Sequence, residues 1–260
     1  TRSVYVPIND DIIDDEDSDV KEEREKIRTM FDSDSYATRA DNQKCVMAAS
    51  GIRKVFHRAT CLCCHRSSNA AVRNLSLSVN EGEVLGLLGP NGAGKTTSMN
   101  VITADMKATS GQIQIAGYDI ITSLSDAFRV MGFCPQHDPL YENLTMREHL
   151  ETYALIKGIH PCDVKAVAQH FMDAIDISDH ANKKARELSG GTKRKLCFAM
   201  SMLGKPKIVF MDEPSTGMDP ASKRFVWNTI IASFHDNRGA ILTTHSMEEA
   251  DAVCSRVGIM

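Results

Sequence analysis

Short, mainly apolar runs of four or five residues recur along the chain and predict buried strands. They are Val84–Leu88, Ile208–Met211, Ala240–Thr244 and Val257–Met260. Continuous apolar runs of this length are typical of parallel strands that are covered on both faces. Gly-rich segments or loop residues follow the first two runs, as they do at the ends of strands in α/β proteins. The runs therefore predict a mainly parallel sheet.

Other strand and helix signals lie around these runs. Further strands are predicted at Val46–Phe56, Arg73–Val79 and residues 111–116. Helices are predicted from Gly94 to about Ala104, over most of residues 142–205, and at Ala221–His235. Turn signals near Gly158–Pro161 and Ser189–Gly191 interrupt the long helical block. Strands and helices thus alternate around an inserted helical segment, which predicts an α/β fold.

The first 44 residues differ in character from the rest. Asp10–Asp19 is dense in acidic residues and cannot bury a face, so we expect it to be solvated. Val20–Met30 mixes Glu, Lys and Arg and predicts a short charged helix. We therefore predict an acidic linker at residues 1–44 and one domain at 45–260. Because the last residues form a predicted strand, we expect that the domain is truncated at its carboxyl end.

Composition narrows the function classes. Residues 1–43 hold 13 acidic and six basic residues, a formal charge of -7, and the whole chain carries -4, so the remainder carries +3. Such weak basicity does not favour nucleic acid as a partner. No apolar run approaches the roughly 20 residues that cross a bilayer. The eight cysteines lie mostly in apolar contexts, where Cys acts as a small hydrophobe, and we expect no disulfides.

A phosphate-binding loop follows the first apolar run. Its sequence is Gly89-Pro90-Asn91-Gly92-Ala93-Gly94-Lys95-Thr96, and Thr97 comes next. This matches the pattern G-x-x-x-x-G-K-[ST] between a strand and a helix. Glycines let backbone N–H groups turn toward an anion, and the helix dipole adds to the attraction. Lys95 suits the terminal phosphates, and the Thr96 hydroxyl suits Mg²⁺. The loop predicts that ATP and Mg²⁺ bind here.

Two carboxylates end the second apolar run. Asp212 is suited to hold Mg²⁺, and Glu213 is suited to act as a general base on water. An apolar strand that ends in Asp-Glu is weak support by itself. It gains force from the phosphate loop upstream.

A second helix start has the chemistry of a phosphate site. Ser189, Gly190 and Gly191 open the last helix of the predicted block. One domain does not need two such ends for a single γ-phosphate. The simplest explanation is that Ser189–Gly191 serves the nucleotide of a partner domain.

At this point the chain resembles the ABC transporter ATPases, whose signature motif reads LSGGQ; here Thr192 replaces the last residue. The resemblance covers about residues 17–260 and is closest to the A subfamily, in particular its second nucleotide-binding half. It rests on segments 86–95, 132–136, 189–196, 212–220 and 245–250, and on Asp19–Arg24, which is similar to the charged segment after the last transmembrane helix of those proteins. Bacterial exporters share much of these motif sequences, so the motifs are less specific for the subfamily than for the ABC class.

The resemblance implies roles for further residues. Gln136 is similar to the Q-loop glutamine, which senses Mg²⁺ and the attacking water and contacts the transmembrane partner. His245 is similar to the switch histidine at the γ-phosphate. Ser215–Asp219 is similar to the D-loop at the dimer interface. Phe56 stands where the family stacks an aromatic ring on adenine, although a core Phe is the alternative.

The resemblance also implies the architecture and the partners. We expect a RecA-like P-loop NTPase core with an antiparallel β subdomain and an inserted helical signature subdomain at about 138–205. MgATP is expected between two such domains, the second in the same polypeptide. Transmembrane domains outside this chain would move a lipid or sterol, with this domain on the cytosolic face of a membrane. No nucleic acid is expected.

The sequence leaves several alternatives open. The ATPase could serve a non-lipid exporter, or a soluble ABC protein that acts as a mechanical switch on ribosomes or DNA. A domain that binds ATP without turnover is a third alternative. Cys61-Leu62-Cys63-Cys64-His65 could bind metal or carry a lipid, but no second ligand pair accompanies it, which favours a surface insertion. The basic run Lys193–Lys195 is expected on a solvated or interface face, opposite Leu196, Met200 and Leu203.

Overall fold

A computed structural model describes residues 2–5, 17–32, 45–59, 66–234 and 237–260 of the chain. The strands, in chain order, are β1 Arg2–Tyr5, β2 Cys45–Ala59, β3 Arg66–Asn80, β4 Val84–Leu88, β5 Ser110–Ile115, β6 Tyr118–Asp119, β7 Met131–Cys134, β8 Ile208–Asp212, β9 Gly239–Thr244 and β10 Arg256–Ile259. The α-helices are α1 Ser18–Asp32, α2 Lys95–Ile102, α3 Leu124–Val130, α4 Met146–Ile156, α5 Val164–Ala174, α6 Gly190–Met202, α7 Pro220–Ser233 and α8 Met247–Val253. The predicted α/β architecture is confirmed.

A six-stranded sheet forms the centre of the fold, with strand order β1-β10-β4-β9-β8-β7. Every pair of neighbouring strands in it is parallel. Because parallel strands share a direction, the carboxyl ends of β4, β7, β8 and β9 meet at one edge. The phosphate loop, Gln136 and His245 follow these strands, and Asp212 is the last residue of β8. The sheet therefore gathers the predicted motifs at a single edge.

Both faces of this sheet are covered, which explains the continuous apolar runs. Leu85 and Leu87 enter the core that β4 shares with the antiparallel strands. Val84 and Leu88 enter the core on the helical side. This alternation is the period of two expected of a strand. Burying a side chain of this size contributes about 1.5–3 kcal/mol.

A four-stranded antiparallel sheet, in the order β3-β2-β5-β6, packs beside the phosphate-loop helix. The long strands β2 and β3 pair from Cys45–Asn80 to Ala59–Arg66, with several register shifts along the way. Both extend farther than the sequence predicts. The cluster Cys61–His65 lies outside the described residues.

The inserted helical block contains α4, α5 and α6 with two short 3-10 turns, Ser178–His180 and Ala185–Glu187. Thr145 begins α4 with a capping box in which its side chain and that of Glu148 bond each other's backbone N–H. Leu196, Met200 and Leu203 are buried, as the sequence predicts. Within the described residues no helix has both the length and the apolar character needed to cross a bilayer.

The segment predicted as a linker contributes two described elements to the fold. Helix α1 agrees with the predicted charged helix, and its Val20 and Ile27 are buried. Glu23 of α1 accepts hydrogen bonds from the N–H and hydroxyl of Ser78, at 3.1 and 2.5 Å. It also pairs with Arg256 at 3.0 Å. Strand β1 adds to the edge of the parallel sheet beside β10.

Candidate nucleotide site

The phosphate loop joins β4 to α2 and depends on glycine at defined positions. Gly92 and Gly94 have φ angles of 86° and 101°, in the left-handed region that favours glycine. A Cβ at Gly94 would lie 2.5 Å from the Ala71 carbonyl oxygen. A Cβ at Gly92 would meet nothing within 4 Å, so there the constraint is the backbone angle alone.

The loop presents backbone N–H groups that are free to bind an anion. The Ala93 N–H donates to the Pro90 carbonyl at 3.2 Å. Among the described residues, the N–H groups of Asn91, Gly92 and Gly94 meet no acceptor. The first N–H groups of α2 likewise lack helical partners. These unbonded donors fit a phosphate group, which needs several N–H donors converging on it.

Three side chains at the start of α2 complete the cradle. Lys95 is buried, and its Nζ donates to the carbonyl oxygens of Gly89 at 2.7 Å and Pro90 at 3.0 Å. Those two bonds hold the ammonium group against the loop. Thr96 is exposed and Thr97 is half-buried. The structure thus brings one cation and two hydroxyl groups to the loop.

Asp212 and Glu213 lie at the end of β8 and are held by β9. Asp212 is buried and accepts a hydrogen bond from the Thr243 hydroxyl. The Glu213 N–H donates to the Thr243 carbonyl and hydroxyl oxygens, each at 3.1 Å. Glu213 has a φ of 48°, a conformation that a non-glycine residue adopts at a cost of about 1–3 kcal/mol. The two bonds from β9 hold it there.

The Glu213 carboxylate is surrounded by polar side chains from three other segments. Gln136 Nε2 donates to Oε2 at 3.1 Å, and the Thr216 hydroxyl donates to the same oxygen at 3.2 Å. His245 Nδ1 lies 3.4 Å from Oε1. The His245 side chain is about half exposed. The structure therefore brings together Gln136, Glu213 and His245, which lie far apart in sequence.

Oxygen atoms suited to a magnesium ion come from three of these positions. Thr96 offers a hydroxyl, Asp212 a carboxylate and Gln136 an amide oxygen. Mg²⁺ prefers such hard oxygen ligands and usually takes only one or two from the protein, together with phosphate oxygens and waters. The donor chemistry of the predicted metal residues fits the ion.

The signature segment lies at the start of α6. Ser189 is the N-cap and accepts the Thr192 N–H at 3.2 Å, while its hydroxyl lies 2.8 Å from that of Thr192. Ser189 and Gly190 are exposed. No hydrogen bond among the described residues joins Ser189–Gly191 to the phosphate loop of the same chain. The segment therefore faces outward as a helix start open to another molecule.

Phe56 projects from β2 with a ring that is 43% exposed, which contradicts the alternative of a core Phe. The Lys54 ammonium lies 5.2 Å from the ring centroid, within reach of a cation–π contact. An exposed aromatic face is what stacking on a base requires.

The sequence predicts a solvated or interface face for Lys193–Lys195, and for Arg194 this prediction is wrong. Its side chain is 5% exposed. It faces the ends of β7 and β8, where backbone carbonyl groups are available. Lys195, in contrast, is half-buried, with its ammonium 4.0 Å from the centroid of Phe225. Thr216 and Thr243 were also missed as partners of the carboxylates, although Thr216 lies inside the D-loop segment.

Comparison with known proteins identifies the family of this sequence. Residues 72–216, more than half of the chain, match the family described as ABC transporter. The mouse protein "Cholesterol transporter ABCA5" is 42% identical over 98% of this chain, which spans 15% of that protein. The mouse "ABC-type organic anion transporter ABCA8A" is 42% identical over 100% of the chain and 16% of that protein. The mouse "Retinal-specific phospholipid-transporting ATPase ABCA4" is 39% identical over 100% of the chain and 10% of that protein.

Solved structures agree on the fold. The dimeric post-hydrolysis state of the ATP-binding cassette MJ0796 bound to ADP and Pi superposes with a TM-score of 0.71 at 21% identity, covering 80% of this chain and 91% of that one. The ATP-binding subunit of an ABC transporter superposes with a TM-score of 0.72 at 23% identity, covering 83% of this chain and 85% of that one. The predicted RecA-like P-loop core is thereby confirmed.

Proposed function

The chain belongs to the ABC transporter family as one of its ATP-hydrolysing domains, and we propose that its turnover drives a lipid or sterol through transmembrane domains outside this chain. The observation that carries the proposal is the Glu213 carboxylate, which lies between Gln136 and His245 at the edge that also holds the phosphate loop. The names of the relatives with about 40% identity support a transport role.

The site residues have distinct tasks in this proposal. The loop amides of residues 89–94 and Lys95 bind the phosphates of ATP, while Phe56 stacks on adenine. Thr96, Asp212 and Gln136 would hold Mg²⁺, in part through water, and the ion would neutralise charge on the phosphates. Glu213 accepts a proton from the attacking water, because its carboxylate lies beside Gln136 and His245 while Asp212 is assigned to Mg²⁺. Gln136 orients that water, and His245 contacts the γ-phosphate.

The second half of the site comes from a partner. The exposed Ser189–Gly191 helix start offers N–H groups to the terminal phosphate of a nucleotide bound by another domain. We propose that residues 45–260 form one nucleotide-binding domain. Its partner would be a second such domain of the same polypeptide. ATP binding closes the pair and hydrolysis reopens it.

A groove near the site suits the transmembrane partner that we propose. A groove of about 520 Å³ lies between the helical block and the core, lined in part by Phe128, Phe133, Pro135 and Tyr153. Pro135 directly precedes Gln136 in the chain. A partner seated there would contact the segment that orients the attacking water. We propose that the domain lies on the cytosolic face of a membrane.

The experiment is ATP hydrolysis by the intact parent protein in lipid nanodiscs, across a panel of lipids and sterols. Glu213→Gln is the blank and should lower kcat about 100-fold or more while ATP still binds, because only proton acceptance is lost. Lys95→Ala should instead weaken ATP binding. Turnover that rises with particular lipids and vanishes in the blank supports the proposal. Unchanged turnover in Glu213→Gln would contradict the role of that residue.

A second cargo class follows from one relative, which is named as an organic anion transporter and is 42% identical. Organic anions are therefore included in the same panel. Turnover stimulated by an anion and by none of the lipids would replace the lipid proposal. A soluble mechanical-switch ATPase is tested by fractionation: release of the parent protein from membranes by a salt wash would overturn the transporter proposal.

A further inference from the structure

The side chain of Arg194 connects the signature helix to both catalytic segments of the same chain. Its Nε donates to the Pro214 carbonyl at 2.9 Å. Its second terminal nitrogen donates to the carbonyls of Asp212 at 2.7 Å and Glu213 at 3.0 Å. These three bonds fix the backbone that carries the general base.

The other terminal nitrogen of Arg194 reaches the Gln136 segment. It donates to the Pro135 carbonyl, to the Gln136 carbonyl at 3.3 Å and to Asp138 Oδ1 at 3.3 Å. Asp138 is the carboxylate partner of this otherwise carbonyl-bound cation. One buried guanidinium group therefore bonds the backbones of both Gln136 and Glu213.

The position of Arg194 links this hydrogen-bond network to the start of the signature helix. It lies on α6, little more than one turn after Ser189, whose helix start faces outward. A rotation or shift of that helix start moves the guanidinium with it, because a helix is rigid over one turn. The carbonyls bonded to the guanidinium belong to the segments that place Gln136 and Glu213.

We propose that Arg194 is a positioning residue that transmits engagement of the partner's nucleotide at Ser189–Gly191 to the Gln136–Glu213 pair of this chain. The proposal rests on the proposed function, since it assumes a two-domain ATP sandwich. Lysine cannot substitute for Arg194, because its compact ammonium has three donors and lacks the planar fork that reaches two segments at once.

The test compares Arg194→Lys with Lys195→Met in the intact parent protein in nanodiscs. We expect Arg194→Lys to lower kcat about 10- to 100-fold, because small misplacements of catalytic groups have effects of that size. Its KM for ATP should stay near the parent value, since Phe56 and the phosphate loop are untouched. Its melting temperature should fall somewhat, because buried carbonyl groups lose donors. Lys195→Met is the matched control on the same helix and should keep the parent kcat. A parent-like kcat in Arg194→Lys overturns the proposal.

A double-mutant cycle tests the transmission itself. Gly190→Asp blocks the signature end, and its effect on kcat is measured with and without Arg194→Lys. If both act along one route, the double variant is no slower than the slower single variant. Fully multiplying effects would overturn the transmission.

A second variant covers the case in which Arg194→Lys does not fold. Asp138→Asn weakens one bond of the guanidinium and should lower kcat with KM unchanged. A fall in kcat that is matched by a rise in KM and a lower melting temperature would indicate a merely structural role. If the parent itself has no turnover sensitive to Glu213→Gln, the proposed function fails. If the parent turns over and Arg194→Lys equals it, only this inference fails.

Discussion

Glu213 shows how the fold stabilises an unfavourable residue conformation where chemistry requires it. Its φ is positive and its carboxylate contacts Gln136 and His245, while β9 and Arg194 bond its backbone. Glu213→Gln keeps the size of the side chain and every backbone bond, so stability should change little. That makes it a suitable blank for turnover.

The exposed ring of Phe56 permits a prediction about affinity at the residue scale. Phe56→Ala should raise KM for ATP about 5- to 150-fold, which corresponds to the roughly 1–3 kcal/mol of a base–aromatic stack. Phe56→Trp should keep KM near the parent value, because it retains an aromatic face. Steady-state kinetics across ATP concentrations makes the comparison. An unchanged KM in Phe56→Ala would remove Phe56 from the nucleotide site.

The sequence could predict the site residues far better than their supports. Gln136 and His245 were identified from motif resemblance, and the shared edge of a parallel sheet explains why they meet Glu213. Arg194 could not be identified as buried, because a basic run on a helix normally faces water. Its burial depends on carbonyl groups from two distant loops. Backbone carbonyl groups are present at every residue, so the amino-acid sequence does not show which of them a side chain will bond.

At the scale of elements, the long or strongly apolar segments were predicted and the short ones were not. Strands β4 and β8 match their predicted runs within one residue. Helices α3 and α8, each of seven residues, and strand β7, of four, were missed. Segments of two turns or less carry too few positions to show a period, and packing against the rest of the fold stabilises them.

Helix α1 permits a prediction about pH. Burial by itself raises the pKa of Glu23, but the charge of Arg256 and the hydrogen bonds from Ser78 and Arg256 outweigh it, so the pKa lies below its ordinary value of 4.5. The stabilisation is therefore present above pH 4.5 and is lost as the pH falls through the folded-state pKa. Glu23→Gln should lower the free energy of unfolding at pH 7 by about 1–3 kcal/mol.

Denaturant unfolding of this chain at pH 7 and near pH 3 measures that effect. The difference between Glu23→Gln and the parent should shrink as the pH falls through the folded-state pKa of Glu23, because the carboxylate then gains a proton. The exposed Glu22→Gln is the control on the same helix. A difference that is equal at both pH values would show that α1 does not use the charge of Glu23.

The whole molecule is tested by the reactivity of its cysteines. Cys134, Cys197 and Cys254 are buried in the core on the helical side of the parallel sheet, while Cys162 is exposed. Burial raises the pKa of Cys134 to about 11 and that of Cys254 to about 12. Because the thiolate is the reactive form, both should resist maleimide at pH 8. Among the cysteines that the structure describes, peptide mapping should find Cys162 labelled first, and the three buried thiols labelled only after denaturation. Rapid labelling of Cys134 would contradict the fold.

The strand order of the parallel sheet has a consequence for how the protein is made. Strand β4, which carries the phosphate loop, pairs with β9 and β10, and both of these are synthesised more than 150 residues later. Until they leave the ribosome, both edges of an apolar strand lack partners, and such edges promote aggregation. A coding sequence with a stop codon just before Gly239 would still encode the phosphate loop, the signature segment, Asp212 and Glu213. Its product would have no neighbours for β4, and so no nucleotide site.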